Sequence, residues 1–332
     1  MIKIAINGFG RIGRAVFRIL ADHPEMQVVG INDISPAKSL VYLLKYDTVM
    51  GRFAQDVALD GDQVTCDGKA TRISQIRSPA ELPWGELGVD IVIEATGRFR
   101  QRQEIEQHLK AGAQRVILTV PAKDRLDATI VLGVNDDELK PEHRLLSNAS
   151  CTTNCLAPLA KVLDDRFGIE KGLITTVHAY TNDQRLADWY HADPRRSRAA
   201  GENTIPTTTG AARAVGQVLP QLAGKLDGMA MRVPVPDGSI VDLVVQLRKP
   251  ADSETVNAAL REAADGPMQG ILQYSTEALV STDIVGNPHS CIFDAPLTQA
   301  LSNGMLKVFA WYDNEWGYAN RVVDLAQRAA TL

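Results

Sequence analysis

The segment that most limits the fold is the N-terminus, where a short apolar strand runs directly into a glycine turn and then into a helix. Residues 1–10 read MIKIAINGFG, and a helical pattern of apolar residues follows from Arg11 to His23. Gly8, Gly10 and Gly13 stand in the order G-x-G-x-x-G. Glycines at these positions permit a tight turn and close backbone approach, and the free N–H groups at a helix N-terminus suit a pyrophosphate.

An acidic residue completes this pattern. Asp33 follows Gly13 by twenty residues, at the end of the second apolar run, VVGIND. A carboxylate there accepts hydrogen bonds from adenosine ribose hydroxyls, and its charge repels the extra phosphate of NADP, which favours NAD. No Gly-Lys-Ser/Thr follows, which excludes a Walker phosphate loop. The context predicts a Rossmann-type dinucleotide-binding domain, with a ligand-free glycine turn as the alternative.

The rest of the first half alternates short Val/Ile-rich runs with helical stretches. The runs DIVIEAT, RVILTV, ATIVLGV and RLLSNAS are continuous rather than alternating, and a polar helical stretch covers Gln101 to Ala111. Strands of this kind are typical of a parallel sheet with helices on both faces. The sequence therefore predicts a doubly wound α/β domain over residues 1–150.

The pattern of apolar and polar residues changes after about residue 150. LITTVHAY, GMAMRVPVP, SIVDLVVQLRKP and MLKVFAWYD are longer and more alternating, as expected of a mainly antiparallel sheet. We expect an α+β catalytic domain over residues 151–314, and a C-terminal segment of about 315–332 that completes the first domain through a helix near Trp316 to Ala330. The stretch from Thr181 to Thr209 has no clear period, and loops of such length are usually functional.

Bulk properties exclude several classes of protein. The chain has 332 residues, a formal net charge of -5 and four cysteines. Such a charge gives no support for binding nucleic acid or anionic membranes. No apolar run approaches the roughly 20 residues of a membrane span, no secretory signal is recognisable, and four cysteines in so long a chain do not make a disulfide framework. We expect a cytoplasmic protein.

The segment SNASCTTNCLAP contains two of the four cysteines, Cys151 and Cys155. Ser150 can cap a helix that begins at Cys151. A thiol in the first turn lies among free N–H groups at the positive end of the helix dipole, which lowers its pKa and can stabilise an oxyanion. Cys155, one turn deeper, is expected to be a small buried residue. A disulfide four residues apart in a helix is geometrically poor, and a zinc site lacks further ligands, since His143 belongs to another segment.

A base for this thiol is available at the end of an apolar strand. His178 ends LITTVHA just before the long polar loop, where it would face a cleft. A thiol and an imidazole form the nucleophile–base pair of acyl-transfer enzymes, although a structural histidine and a buried thiol remain the alternatives. The other histidines lie in polar stretches and are interpreted as surface residues: 23, 108, 143, 191 and 289.

Several long motifs carry a family resemblance. SNASCTTNCLAPLAKVL, TTVHAYTNDQ, IPTTTGAA, GMAMRVPVP and WYDNEWGYANRVVDL resemble the phosphorylating glyceraldehyde-3-phosphate dehydrogenases of bacteria. The likeness extends from INGFGRIGR to the last helix. The resemblance implies oxidation of an aldehyde through a hemithioacetal and a thioester on Cys151, with His178 as base and thiolate partner, and with NAD as the hydride acceptor. No metal is implied.

The resemblance also assigns residues to the cofactor and to two phosphate sites. It implies that Asn314 holds the nicotinamide carboxamide, that Tyr318 packs on the ring, and that Arg11 and Ile12 meet the pyrophosphate. Arg77 and Thr119 would contact the adenine side and the ribose. The substrate phosphate would bind Thr181, Asp183 and Arg232, and inorganic phosphate would bind Ser150, Thr152, Arg196, Thr209 and Gly210.

Some features depart from the family pattern. Trp189-Tyr190 stands where relatives that strongly prefer NAD often have Leu-Pro, which leaves some use of NADP possible. Trp316 and Tyr190 are also seen in erythrose-4-phosphate dehydrogenases, which hydrolyse the thioester with water. That hydrolytic activity is the second hypothesis, and a catalytically silent dinucleotide-binding protein is the third. A homotetramer is implied by the resemblance alone.

Overall fold

The computed structural model describes residues 1–332, which divide into two compact units. The first comprises Met1–Ile130, Asp136–Ser150 and Ala319–Leu332, and the second comprises Val131–Asn135 and Cys151–Tyr318. The C-terminal segment thus joins the first unit from Ala319 rather than from about 315. None of the helices combines the length and apolar character that crossing a membrane requires.

The first unit contains four helices before its C-terminal segment: α1 (Arg11–Ala21), α2 (Ala37–Lys45), α3 (Trp84–Leu87) and α4 (Arg102–Lys110). Its strands are β1 (Ile2–Asn7), β2 (Met26–Asn32), β3 (Tyr46–Asp47), β4 (Gly51–Arg52), β5 (Val57–Asp60), β6 (Gln63–Cys66), β7 (Lys69–Ser74), β8 (Ile91–Glu94), β9 (Arg115–Leu118), β10 (Ala128–Thr129) and β11 (Leu145–Ser147). The run ATIVLGV contributes only the two residues of β10.

Nine of these strands form one sheet in the order β10-β11-β9-β8-β1-β2-β7-β6-β5. Pairing is parallel from β10 to β7, so the carboxyl ends of β1, β2, β7 and β8 lie along one edge. The last pairs, β7·β6 and β6·β5, are antiparallel hairpins that our sequence analysis did not predict. The signal was present in the Asp-Gly dipeptide of the second turn, where Asp67 and Gly68 both have positive φ (45° and 79°), as such turns require.

The second unit is built on strands β12 (Ile169–Ala179), β13 (Ile205–Thr208), β14 (Leu226–Val233), β15 (Ser239–Leu247), β16 (Leu272–Ser275), β17 (Cys291–Asp294), β18 (Gln299–Ala300) and β19 (Met305–Tyr312). Its helices are α5 (Cys151–Phe167), α6 (Ala211–Val218), α7 (Ser253–Asp265) and α8 (Ser281–Ile284). The final helix, α9 (Trp316–Ala330), has the bounds expected from the sequence.

The second sheet is mainly antiparallel, as predicted, in the order β13-β14-β12-β15-β19-β17-β16. Two pairs are parallel, β12·β14 and β16·β17. The stretch from Thr181 to Thr209 is largely irregular, but its last part forms the edge strand β13. Pro206 lies in this strand and has no N–H to donate, which an edge position tolerates.

A strained turn precedes α5. The first unit's strand β11 ends at Ser147, and Ala149 then adopts the left-handed conformation with φ 55°. Ala149 is buried, and its N–H donates to Oγ of Ser147 at 3.1 Å. Such a conformation is costly for a residue with a Cβ, by roughly 1 kcal/mol. This turn lets helix α5 begin at Cys151, the residue where the sequence predicted its start.

Candidate active site

A cavity of about 250 Å³ lies at the carboxyl edge of the first sheet. Four predicted cofactor residues line it: Gly8, Gly10, Asp33 and Arg77. The walls also include Asn7, Asn32, Ile34, Ile76, Ala95, Thr96, Arg98 and Phe99. The ends of successive parallel strands therefore surround one space, which is where doubly wound sheets bind nucleotides.

The glycines at this cavity are sterically required. Gly8 has φ +93°, and a Cβ on it would lie 2.5 Å from the backbone N of Thr96. A Cβ on Gly13 would lie 2.1 Å from the carbonyl oxygen of Gly8. Gly10, at the N-cap of α1, has open space where a Cβ would stand and supplies no side-chain cap to the first-turn N–H groups. The residues present therefore fit the pyrophosphate of a dinucleotide.

The Asp33 carboxylate is held in place by two backbone groups. Its Oδ2 accepts from the N–H of Phe9 at 2.8 Å, and its Oδ1 accepts from the N–H of Ser35 at 2.9 Å. Each oxygen retains acceptor capacity for a ribose hydroxyl. The carboxylate thus links the glycine turn to the end of β2 and orients the group expected to select the cofactor.

The remaining predicted cofactor residues of the first unit are placed differently. Arg11 pairs its guanidinium with Asp47, so its side chain is engaged and its backbone is the part left for a pyrophosphate. Ile12 is half-buried in the first turn of α1. Thr119 is buried, and its hydroxyl donates to the carbonyl of Glu94 at 3.1 Å. It is not among the residues that line the cavity.

The second unit brings the predicted nucleophile and base together. Sγ of Cys151, at the start of α5, lies 3.5 Å from Nε2 of His178, near the end of β12. Cys151 is partly exposed, whereas His178 is buried and packs edge-on against Tyr312 with ring centroids 5.9 Å apart. This separation permits direct proton transfer between sulfur and nitrogen.

The electrostatics of this pair differ from the ion pair implied by the resemblance. Burial raises the pKa of the Cys151 thiol, against the opposing influence of Arg232 and of the Thr152 hydroxyl and amide. Burial, then the charge of Arg232, lowers the pKa of His178 to about 3. Both pKa shifts favour a neutral thiol beside a neutral imidazole. The sequence suggested a lowered thiol pKa from the helix dipole; burial instead raises the pKa of Cys151, and the Thr152 amide only opposes that rise.

Arg232 controls which nitrogen of His178 carries the proton. Nδ1 of His178 lies 2.7 Å from the carbonyl oxygen of Ala179 and 2.8 Å from Nη1 of Arg232. With a proton on Nδ1, the ring donates to the carbonyl and keeps its lone pair at Nε2, where it can accept the thiol proton. With Nδ1 unprotonated, Arg232 donates to it, and Nε2–H can only donate toward the sulfur. The first form is the general base.

The other cysteines are not placed for nucleophilic chemistry. All four are free thiols, and Cys155 is fully buried, as expected, with its Sγ 3.7 Å from the carbonyl oxygen of Ala310. Burial raises the pKa of the Cys155 thiol well above its usual value and raises that of Cys66 to about 11. Cys151 is therefore the one cysteine that is both partly exposed and within reach of a base.

The predicted phosphate residues show two different environments. Nη1 of Arg232 contacts His178 and the Ala179 carbonyl, while its buried Nε has no hydrogen-bond partner, which suits an anion. Arg196 is instead engaged by protein groups: Nε donates to Thr207 at 2.9 Å, Nη2 donates to the Thr208 carbonyl at 3.2 Å, and Nη1 pairs with Asp183. A carboxylate repels phosphate, so Asp183 is interpreted as the residue that orients Arg196 and not as a ligand of the phosphate itself.

The rest of the predicted phosphate residues are serine and threonine residues with hydroxyl groups, together with Gly210. Thr152 is buried with its Oγ1 2.8 Å from the Tyr312 hydroxyl. Thr209 accepts from the N–H of Ala211 at 3.2 Å, just before α6, whose N-cap is Gly210. Ser150 and Thr181 are half-buried. Thr181 lies two residues beyond the end of β12, the strand whose residues 178 and 179 contact Arg232.

Asn314 is oriented by a residue that sequence reasoning missed. Oγ of Ser239 accepts from the N–H of Ala179 at 3.0 Å and donates to Oδ1 of Asn314 at 2.6 Å. This leaves the Nδ2 group of Asn314 as the donor for a ligand. Ser239 is fully buried at the start of β15, and a serine there gives no sequence signal. Tyr318 is buried in α9.

A second unpredicted feature is a group of buried carboxyl groups: Asp237, Asp313 and Glu315. Asp313 is well satisfied, since it accepts from the N–H groups of Gly286, Glu315 and Trp316. Burial, then the charges of Asp313 and Glu315, raises the pKa of Asp237 to about 9. Asp237 is therefore protonated at neutral pH.

Comparisons with known proteins agree with this geometry. The family model described as "Glyceraldehyde 3-phosphate dehydrogenase, NAD binding domain" matches residues 2–102, and "Glyceraldehyde 3-phosphate dehydrogenase, C-terminal domain" matches residues 150–314. The chain is 56% identical to a glyceraldehyde-3-phosphate dehydrogenase of Streptomyces coelicolor, over 98% of this chain and 97% of that protein. It is 55% identical to that of Geobacillus stearothermophilus, over 99% and 98%, and 55% identical to glyceraldehyde-3-phosphate dehydrogenase 1 of Bacillus subtilis, over 98% and 97%. A chain matched at this level over nearly its whole length belongs to the glyceraldehyde-3-phosphate dehydrogenase family.

Proposed function

We propose that this enzyme oxidises D-glyceraldehyde 3-phosphate to 1,3-bisphosphoglycerate with NAD and inorganic phosphate. The observation that carries the proposal is the Cys151–His178 pair, at 3.5 Å, beside the half-buried cation Arg232. Among the chemistries open to a dinucleotide-binding protein, a nucleophilic thiol with a base fits covalent oxidation of an aldehyde. The names of the relatives support this substrate.

The first step is addition of the Cys151 sulfur to the aldehyde carbon. His178 accepts the thiol proton at Nε2 as the carbon–sulfur bond forms, which avoids a free thiolate in a site that disfavours charge. The new oxyanion is stabilised by first-turn N–H groups of α5. The product of this step is a hemithioacetal on Cys151 in its oxyanion form, with the thiol proton held on Nε2 of His178.

Arg232 couples this step to the substrate. A phosphate dianion that binds Arg232 draws the guanidinium from Nδ1 of His178 and neutralises its charge. Both effects favour the Nδ1–H tautomer, with its proton donated to the Ala179 carbonyl, and both raise the pKa of His178. Binding of the substrate phosphate thereby converts His178 into the general base that is required for attack on the aldehyde of the same substrate.

The second step is oxidation of the hemithioacetal. NAD, when bound, supplies a ring carbon that accepts hydride, which leaves a thioester on Cys151. Asn314, whose Oδ1 accepts from Ser239, would hold the nicotinamide carboxamide through Nδ2, and Tyr318 would pack on the ring. Inorganic phosphate, held by Arg196 and neighbouring hydroxyl groups, then attacks the thioester carbonyl and displaces the Cys151 sulfur, which regains its proton from His178.

The proposed biological form is a cytoplasmic homotetramer. Support comes from exposed apolar side chains in the irregular stretch of the second unit: Leu186 is 93% exposed, Trp189 74% and Tyr190 78%. Large apolar groups at this exposure favour burial against another protein surface. Equilibrium sedimentation of the purified chain tests the assembly.

Steady-state kinetics test the activity. The purified enzyme is assayed for NADH formation from glyceraldehyde 3-phosphate with and without inorganic phosphate, and the product is identified by phosphorus NMR. We expect sustained turnover that requires phosphate and an acyl phosphate product. Turnover that is unaffected by phosphate and yields 3-phosphoglycerate would instead support thioester hydrolysis, and faster turnover of erythrose 4-phosphate would identify the preferred substrate of that alternative. NADP is compared with NAD in the same assay.

A further inference from the structure

A chain of buried polar side chains lies directly behind the dinucleotide cavity, within the first unit. Its centre is Glu94, at the end of β8, which is fully buried together with His108 of α4. Oε2 of Glu94 lies 2.6 Å from Nδ2 of Asn7 and 2.9 Å from Nε2 of His108. Its Oε1 accepts from the N–H of Thr96 at 2.9 Å and from the Thr96 hydroxyl. The surface position predicted for His108 is therefore wrong.

The direction of hydrogen bonding is fixed at the first end of the chain by a tryptophan. Nε1 of Trp84, in α3, lies 3.0 Å from Nδ1 of His108. An indole N–H can only donate, so Nδ1 of His108 must be the acceptor. The imidazole is then neutral and carries its proton on Nε2, which donates to Glu94.

A backbone N–H fixes the direction at the other end. The N–H of Ile76 donates to Oδ1 of Asn32 at 2.9 Å, so Nδ2 of Asn32 must be the donor to Oδ1 of Asn7, at 2.7 Å. Asn7 in turn presents its Nδ2 to Glu94. Neither amide can be reversed without bringing two N–H groups face to face. Every contact of Glu94 is therefore a donor, and only a carboxylate accepts on both oxygens.

The residues joined by this chain are those that shape the cavity. Asn7 precedes Gly8, Asn32 precedes Asp33, Ile76 precedes Arg77, and Thr96 lies in the wall. The fit at this point is tight, because the N–H of Gly8 donates to the Asn32 carbonyl at 2.8 Å and a Cβ on Gly8 would strike Thr96. A displacement of the Glu94 side chain would therefore move the ends of β1, β2, β7 and β8 together.

We propose that Glu94 and His108 are positioning residues for NAD: the buried carboxylate, held by His108, fixes the glycine turn and the loops that follow β2, β7 and β8 in the arrangement that binds the adenosine and pyrophosphate. Neither side chain contacts the reacting atoms. Their effect falls on cofactor affinity, with no direct effect on the thiol or on aldehyde binding.

Glu94→Gln is the main test. A glutamine presents one NH₂ group to the surrounding donors, so a donor pair is forced together wherever that group points. We expect the dissociation constant of NAD, measured by calorimetry, to rise about tenfold, which corresponds to one unsatisfied buried hydrogen bond. The dissociation constant of ADP-ribose should rise by the same factor, because it contains the adenosine and pyrophosphate but no nicotinamide. Alkylation of Cys151 without NAD should keep its rate.

A pair of variants at His108 separates hydrogen bonding from packing. His108→Leu removes the donor to Glu94 and should weaken NAD binding to a similar extent, whereas His108→Gln retains an N–H donor and should bind NAD more tightly than His108→Leu does. Ile105→Ala, on the same helix, removes buried apolar volume without touching the polar chain. It should lower the melting temperature and leave NAD affinity unchanged.

Two results would overturn the proposal: NAD affinity in Glu94→Gln within a factor of two of the original, or an equal loss in Ile105→Ala at equal loss of melting temperature. Because the readout is binding of NAD and ADP-ribose, the outcome does not depend on which aldehyde the enzyme oxidises. A failure of the proposed aldehyde activity would appear in the kinetic assay alone.

Discussion

Nη1 of Arg232 lies 2.8 Å from Nδ1 of His178, while Nε2 of the same ring lies 3.5 Å from the sulfur of Cys151. The imidazole thus stands between a fixed cation and the nucleophile. Opposite effects follow from that cation, since it stabilises a thiolate but disfavours an imidazolium. Burial keeps the thiol protonated, whereas burial and Arg232 together keep the imidazole unprotonated.

The first prediction concerns the charge of His178. With its pKa lowered to about 3, the ring should remain neutral across pH 5 to 8 in the free enzyme. Nitrogen NMR of labelled histidine should show no titration of His178 in that range, with His178→Gln used to assign the signal. Arg232→Leu removes the adjacent cation and should raise the pKa of His178. A midpoint near 6.5 in the unmodified enzyme would contradict this account.

The same shift predicts an acid sensitivity. Since the folded-state pKa lies below that of an unfolded histidine, the unfolded chain binds the extra proton, and stability is lost as pH falls from about 6.5 toward 3. The slope from one such group is at most about 1.4 kcal/mol per pH unit. Urea denaturation at a series of pH values should therefore show a shallower acid slope in His178→Gln. Equal slopes in the two proteins would argue against a buried neutral ring.

The second prediction concerns the identity of the nucleophile. One equivalent of iodoacetate should alkylate Cys151 and abolish activity, because Cys155 and Cys66 are buried thiols with raised pKa values. Peptide mass mapping identifies the modified residue. Cys155→Ser should keep most activity, whereas Cys151→Ser should lose oxidation and still bind NAD. Prior labelling of Cys155 with turnover intact would refute the assignment.

The third prediction concerns Ser239. Ser239→Ala leaves Oδ1 of Asn314 without its 2.6 Å donor, so the amide is free to reverse. We expect hydride transfer to fall by about tenfold, consistent with loss of one buried hydrogen bond. A reversed Asn314 amide presents an oxygen, which can accept from the NH₂ group of the nicotinamide carboxamide. The 3-acetylpyridine analogue of NAD has a carbonyl but no NH₂ group, so Ser239→Ala should lose more activity with this analogue than with NAD. Equal losses for the two cofactors would indicate a structural role only.

The fourth prediction concerns the buried carboxyl of Asp237. Its folded-state pKa of about 9 lies above the unfolded value, so its favourable contribution is complete below about pH 4 and is lost as pH rises toward 9. Asp237→Asn removes this linkage and retains an oxygen to accept from the N–H of Gly238. It should stabilise the enzyme at pH 7 by about 2 to 4 kcal/mol and have little effect at pH 4. Denaturant titrations at the two pH values measure the difference.

The fifth prediction concerns cofactor choice. Asp33→Ser removes the charge that repels a ribose 2′-phosphate and should raise the ratio of NADP to NAD efficiency by about tenfold or more. Activity with NAD should also fall, because Asp33 holds the N–H of Phe9 in the glycine turn. Kinetics with both cofactors at fixed phosphate test this. An unchanged ratio would assign selectivity elsewhere, for example to Trp189 and Tyr190.

Local sequence determined the elements that depend on near neighbours. The glycine turn requires residues without a Cβ, and these are visible as Gly8 and Gly13. Helix α5 begins at Cys151, as its capping pattern predicted, and α9 has the bounds expected from its apolar spacing. The hairpins of β5 to β7 are likewise encoded locally, in the Asp-Gly dipeptides of the turns that join their strands.

What only the tertiary structure decided was the environment of each polar group. His108 lies in a polar stretch of sequence, yet it is fully buried because Trp84 and Glu94, 24 and 14 residues away, supply its hydrogen-bond partners. The charge state of Cys151 and His178 likewise depends on burial and on Arg232, which is 54 residues from His178 in the chain. Desolvation and hydrogen-bond direction are set by groups distant in sequence, so the residue pattern could name the chemical groups but not their protonation.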